Sequence, residues 1–431
     1  MKFLQTNEAN FKSQFEQLLA RGEVDVESVS GVVGNILGNI KKRGLDAVRE
    51  QVREFDGWDA NELAISPKEM KSAWESADLK LKEALQVAYK RILAYHEQQA
   101  EKSWFSVGEF GEILGQKVVA VDRAGVYVPG GKAAYPSSLL MNVAPARAAG
   151  VGEVVVCTPA VKGEVNSLLL AAMHLLGVTE AYKVGGASAV GLMAYGARDE
   201  RVRVGKVDVV TGPGNIYVAT AKKLVFGEVN VDMIAGPSEV GIIADESASA
   251  KVVATDLLSQ AEHDEMASSF LLTPNLEFAR EVEREIWEIL PTLSREKIAR
   301  ASVQNRTAII VAKDLSECVE LANELAVEHL EVATREAWSL LGQIKHAGAI
   351  FLGHHTSEAF GDYLAGPNHT LPTGATAKFF SPLGVEHFTK KSSIISLNEE
   401  FVKQLGEATK ALAYAEMLDC HARSVEVRQK D

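Results

Sequence analysis

A chain of 431 residues, 47% hydrophobic and 24% charged, has the composition of a globular protein with room for more than one core. Its formal charge of -13, with basic residues scattered among acids, would repel a phosphate backbone and sets nucleic acid aside as a partner. Met1 to Glu8 carry no apolar stretch of the kind that directs secretion, and no run is long enough to cross a bilayer, so a cytoplasmic protein without a membrane partner is expected.

Residues 1 to about 105 read as helical. Ser66-Pro67-Lys68-Glu69 combine an N-cap serine, a proline at the first helical position and a glutamate closing a capping box, and predict a long amphipathic helix running towards Gln98. From Gln116 the rhythm changes to short β-rich runs: Val118 to Val121, Val154 to Cys157, Val207 to Val210, Val240 to Ala244, Ser269 to Thr273, Thr307 to Val311 and Ala349 to Leu352. Asn166 to Leu176, Ala187 to Tyr195 and Asn215 to Phe226 are predicted helices between them, each bounded by glycine. Such alternation predicts parallel sheet with crossover helices. After Ser381-Pro382 strands are scarce, and Asn398 to Arg423 predict a charged helical tail. The fold class is therefore α/β: two Rossmann-like parallel-sheet domains with a helical N-terminal segment and a small helical C-terminal domain.

The G-x-G-x-x-G fingerprint of dinucleotide-binding folds is absent. Three other glycine turns fall where a strand should feed a helix. Val207 to Asn215 contains Gly212-Pro213-Gly214-Asn215 before a helix whose free N–H groups would favour an anion. Tyr127-Val128-Pro129-Gly130-Gly131 and Val184-Gly185-Gly186-Ala187-Ser188 fall at strand ends, where α/β sheets open a crevice. Tyr127 could stack on a flat ring there or be a core tyrosine with its hydroxyl satisfied.

Eight of the ten histidines lie from His263 onward, which directs attention to the second half for metal or proton chemistry. Cys157, Cys318 and Cys420 are too few and too far apart for a disulfide framework or a CxxC site. Gln260 and His263, three apart at the end of a predicted helix, share a face and can offer an oxygen and a nitrogen ligand, or form a solvated helix end. Asp314-Leu315-Ser316-Glu317 start a helix that is expected to carry Glu328-His329 in its last turn, where the negative helix pole would make the ring a stronger base. Asp362, followed by the turn-rich stretch Gly366 to Gly374 with His369, reads as a binding loop, and His421 lies in the final helix. Nitrogen and oxygen ligands without thiolate suit zinc, with manganese or cobalt tolerable. The residues alone reach an α/β enzyme with a candidate N/O metal site.

At these positions the sequence closely resembles histidinol dehydrogenases, from the helices before Gly57 to Arg428. The resemblance is carried by Gly125 to Gly131, Gly212 to Asn215, Asp232-Met233-Ile234-Ala235-Gly236-Pro237-Ser238-Glu239, Gln260-Ala261-Glu262-His263, Glu328-His329-Leu330 and Gly366-Pro367-Asn368-His369-Thr370-Leu371-Pro372-Thr373-Gly374. It implies an enzyme that oxidises L-histidinol through L-histidinal to L-histidine with two NAD, the last steps of histidine biosynthesis. It further implies one zinc ion per subunit, held by Gln260, His263, Asp362 and His421, with His329 as the base and Glu328 activating water for the second oxidation. By the same resemblance Ser238, Gln260, His263, His329, Asp362, Glu416 and His421 contact substrate, Tyr127 and Asn215 contact NAD, and His369 is a neighbour of the substrate or ligands. A homodimer is implied, with Glu416 and His421 serving the other subunit's site. The expected division is an N-terminal helical segment, 1–22; a discontinuous first α/β domain, 23–126 plus 237–381; an NAD-binding α/β domain, 127–236; and a dimerisation and active-site domain, 382–431.

Two positions depart from the family pattern. Ser188 stands where a glutamine is usual, which removes one expected hydrogen bond to NAD, and Val327 replaces a proline common before the Glu-His pair, changing backbone restraint but no chemical group. A relative that accepts another small alcohol, a metal-dependent hydrolase and a non-catalytic metal scaffold are the competing readings, separable by turnover of simple diols, by NAD-independent turnover and by the effect of losing His329. The rate is expected to fall in acid as His329 and the ligand histidines protonate, near the ordinary histidine pKa of about 6.5.

Overall fold

The computed structural model describes residues 1–22, 26–130 and 135–429. Gly131, the last glycine of the turn that begins at Tyr127, lies outside the described residues.

Two parallel sheets form the body, and both are wound in the same order. In the five-stranded sheet, Arg123–Tyr127 is central, Glu153–Thr158 and Glu180–Lys183 follow on one side, and Val209–Thr211 and Asn230–Val231 lie on the other. In the six-stranded sheet, Glu239–Ala244 is central, flanked by Ser268–Thr273 and Thr307–Val311 on one side and by His329–Ala333 and Ala349–Leu352 on the other. Valine, isoleucine and leucine fill the central strands because helices cover both faces and leave no side for water. Each reversal of strand order opens a crevice, in the first sheet between the ends of Arg123–Tyr127 and Val209–Thr211.

Several elements differ from the expected ones. Lys2–Gln5, expected within a helical stretch, is an edge strand paired in parallel with Thr307–Val311. The predicted long helix is two, Pro67–Ser76 and Leu79–Glu97, because Asp78 caps the second through the N–H groups of Lys80 and Leu81. Ser66 and Glu69 form the predicted capping box. The strand expected at Val118 to Val121 belongs to Ile113–Ala120, which lies not in a parallel sheet but in an antiparallel one between Trp104–Val107 and Thr389–Ser396. The C-terminal tail is two helices, Glu399–Ala415 and Asp419–Gln429, packed on each other. Among the described residues no helix is long and apolar enough to cross a membrane.

The N-terminal segment is tied to the six-stranded sheet by a buried ion pair. Arg21 donates to the Glu239 carboxylate at 3.0 Å and to the Leu18 and Leu325 carbonyls at 3.2 and 2.7 Å. Burial raises the Glu239 carboxyl even with the guanidinium against it. Arg21→Met would leave that carboxyl buried and unpaired, and is expected to lower unfolding stability by about 3 kcal/mol. A urea midpoint corresponding to a loss under about 1 kcal/mol would contradict this assignment.

Candidate active site

The chemistry-bearing side chains collect at the amino ends of the six-stranded sheet, facing the carboxyl ends of the five-stranded one. Helix Leu315–Leu325 stops where Ala326 turns left-handed at φ 45° with its N–H on the Ala322 carbonyl, and the chain then enters strand His329–Ala333. His329 therefore begins a strand, with Glu328 just before it, and neither sits in a helix's last turn, so the helix pole does not raise the basicity of His329 as expected. Burial dominates instead. It pushes the imidazole down to about 4, against the pull of the Asp362 carboxylate.

His329 Nδ1 lies 3.1 Å from the Glu239 carbonyl, an obligate acceptor, so this nitrogen carries the ring hydrogen of the neutral form. Nε2 is left buried with no hydrogen-bond partner, 3.9 Å from the Asp362 carboxylate. An unpartnered buried lone pair is costly to keep, and it is what a general base needs. His329 and His369 line a 470 Å³ cavity with Gly348, Asn368 and Leu371.

Gln260, in helix Ala250–Ala261, is buried, and its surroundings orient the amide. Glu358 Oε1 and the Glu239 carbonyl are both acceptors, so the amide nitrogen lies towards them at 3.1 and 3.2 Å and the oxygen is left for a donor or a cation. His263, Glu358 and Asp362 present ligand atoms within 4.8 Å of one another. His369 Nδ1 lies 2.9 Å from the Asp362 carbonyl, and its Nε2 is 3.5 Å from the Ser138 hydroxyl, at the start of helix Pro136–Ala149 of the other sheet. Ser238 bonds the Glu328 carboxylate, which also accepts the Glu239 N–H at 2.9 Å.

The electrostatics favour a cation. Burial first, then the charges of Glu239 and Asp362, raise the Glu328 carboxyl well above its ordinary value. Burial followed by the charges of Asp362, Glu328, Glu331 and Asp256 does the same to Glu358. Glu358 was not singled out from the sequence. It stands four residues before Asp362 in helix Glu358–Tyr363, a spacing that puts both carboxylates on one face and could have flagged it.

Glu416 and His421 are not brought to this cluster. Both are exposed, at the end of Glu399–Ala415 and on Asp419–Gln429 respectively. Around them Leu412, Tyr414, Met417 and Leu418 are exposed, and the antiparallel sheet shows Trp104, Phe105, Val107 and Ile395 to solvent.

Tyr127 and Asn215 meet in a second cleft, of 510 Å³, at the carboxyl ends of the five-stranded sheet. Tyr127 is buried, and its hydroxyl accepts the Gly186 N–H at 3.3 Å, joining two of the glycine turns; burial pushes the phenol up to about 12. At Gly212, with φ of 116°, a side chain would strike the Tyr127 carbonyl, so only glycine lets these strand ends approach. Asp232 accepts the Gly212 N–H at 2.9 Å and pairs with buried Lys222. Asn215 differs from expectation. Its own carboxamide accepts the Tyr217 and Val218 N–H groups, so the helix start expected to receive an anion is already capped. The start of Gly186–Tyr195 has no side-chain cap, and Gly185 to Ser188 line the same cleft. From Asp232 to Ser238 is six residues, at most about 20 Å of chain, which keeps the cleft and the His329 site close.

Two doubly wound sheets, a nucleotide-sized cleft at one switch point and a partly exposed N/O cluster beside a neutral imidazole define an α/β protein with the parts of an oxidoreductase. The profile of the histidinol dehydrogenase family matches residues 19–429. Histidinol dehydrogenases of Sulfurimonas denitrificans and Wolinella succinogenes are each 56% identical to the chain, with 99% of the chain and 99% of each relative covered. The crystal structure of histidinol dehydrogenase from Elizabethkingia anophelis superposes with a TM-score of 0.94 at 31% identity, covering 100% of this chain and 98% of that one. The chain belongs to the histidinol dehydrogenase family, a family of oxidoreductases.

Proposed function

We propose that the protein oxidises L-histidinol through L-histidinal to L-histidine with two NAD, as a zinc-dependent enzyme of the cytoplasm. The observation that carries the reading is the neutral, buried and unpartnered Nε2 of His329 beside the His263, Glu358 and Asp362 cluster.

The donor set fits zinc: one imidazole, two carboxylates and the free amide oxygen of Gln260, with no thiolate. Gln260, His263 and Asp362 would hold it, with His421 lent by a second copy. When bound, zinc supplies a positive charge that orients the amino alcohol, and NAD supplies the hydride acceptor. His329 Nε2 takes the hydroxyl proton of the alcohol, while the Glu239 carbonyl fixes the tautomer that can do so. Glu328, its carboxyl raised above the ordinary value by burial, takes a proton from the water that adds to the aldehyde, and His329 serves again for the hydrate. Ser238 holds Glu328 in place, and Glu416 reaches the substrate from the partner.

The cleft at Tyr127, Asn215 and Gly185 to Ser188 would receive NAD. In the absence of glutamine at Ser188, backbone N–H groups of the uncapped helix carry more of the binding. The domain division given from the sequence stands as part of this proposal, with 127–236 as the NAD-binding unit and 382–431 as the piece that dimerises. The apolar residues exposed on the antiparallel sheet and C-terminal helices support such a dimer, since a monomer rarely leaves so many in water. The test is a count: purified protein with L-histidinol and NAD is expected to form about two NADH per histidine. NAD-independent turnover, or a ratio near one with histidine as product, would sink the proposal.

A further inference from the structure

In a doubly wound nucleotide-binding unit, the acid that reads the adenosine ribose stands just beyond the second strand. Here that strand, Glu153–Thr158, runs into Thr158-Pro159-Ala160, and the position has no carboxylate. A carboxylate arrives from elsewhere. Asp56, at the end of helix Leu45–Phe55, has its carbonyl held by the Lys162 N–H at 3.3 Å. Two residues on, the Trp58 ring covers Gly163, where an added Cβ would meet it at 3.4 Å. The segment is thus docked on the loop that follows the second strand. The Asp56 side chain lines the 510 Å³ cleft with Tyr127, Pro159 and Gly186, and among the described residues it is the one charged group that does so.

We propose that Asp56 selects NAD over its 2′-phosphorylated counterpart, its carboxylate accepting hydrogen bonds from the adenosine ribose hydroxyls in this cleft. The inference rests on the placing of NAD there. A 2′-phosphate would bring two negative charges to a carboxylate, in a cleft lined, among the described residues, by no lysine or arginine. Burial pushes the Asp56 carboxyl up to about 6, so the group gains from donors that a ligand brings.

Calorimetric titration with NAD, NADP and 2′-deoxy-NAD tests this on the intact protein and on Asp56→Asn. The unsubstituted protein is expected to prefer NAD to NADP by about 100-fold or more, and Asp56→Asn to narrow that preference by at least about 30-fold. Loss of the 2′-hydroxyl should weaken binding to the intact protein by about 10-fold and binding to Asp56→Asn by clearly less, since a neutral amide accepts more weakly than a carboxylate. An NAD to NADP preference unchanged within about twofold would overturn the inference. Tyr217→Trp puts an indole on the cleft wall, where Tyr217 is 42% exposed. If NAD binds without altering that indole's emission, the cleft is not the NAD site and both readings fall. If the emission responds while the preference stays fixed, the assignment of Asp56 alone fails.

Discussion

Replacing His329 by asparagine is expected to lower kcat for L-histidinol oxidation by about 10² to 10⁴ while KM changes little. Asparagine can keep a hydrogen bond to the Glu239 carbonyl, so the pocket stays filled, but its amide has no basic nitrogen with which to accept the hydroxyl proton. A kcat within about threefold of the original would mean that another group is the base. The pH behaviour follows from the same burial. The folded ring gains a proton only near 4, whereas a histidine in the unfolded chain gains one near about 6.5. The stability owed to the neutral ring is complete above about 6.5 and is lost as the pH falls towards 4. His329 thus stays neutral through the range in which the sequence alone placed its titration. Its ring C–H resonances should hold their neutral positions down to about pH 5, and a midpoint near 6.5 would contradict the burial argument.

Removing the metal, by a strong chelator or by His263→Ala, is expected to cost at least about 10²-fold in rate, since the alcohol would lose the charge that aligns it. Zinc should restore the chelated protein but not the variant. A second readout is independent of turnover. Without a cation, the Glu358 carboxyl beside Asp362 is pushed up by burial and like charge, so stripping the metal should be accompanied by proton uptake and a lower melting temperature. Full activity of the metal-free protein, with no proton uptake, would remove zinc from the account.

The parallel core was legible because its strands are short apolar runs spaced by helices, and Val154 to Cys157, Val240 to Ala244, Ser269 to Thr273 and Thr307 to Val311 appear within a residue or two of their places. Arg123–Tyr127, the central strand of its sheet, was marked only by the turn that ends it, because its run is broken by Gly125, where a side chain would collide with Met193. Thr389–Ser396 was missed because its one-sided, partly exposed pattern carries lysines and serines. The helix stop before Glu328 was hidden because an alanine, not a glycine or asparagine, takes the left-handed turn at 326. Gln260, His263, Asp362, Glu328 and His329 could be named from motifs, yet the side chains that orient them could not. The grip of Glu358 on the Gln260 amide and of Glu239 on His329 depends on contacts across the fold that no local spacing encodes.

Under the proposed function, His329 of one copy works beside a metal completed by His421 of another, and mixing two inactive variants probes that shared site. His329→Asn and His421→Ala should each be nearly inactive alone. Mixed under conditions that let subunits exchange, about half the dimers pair one of each and hold one whole site of two, so activity should return to about a quarter of the original. No recovery after verified exchange, or full activity of His421→Ala by itself, would contradict the shared site.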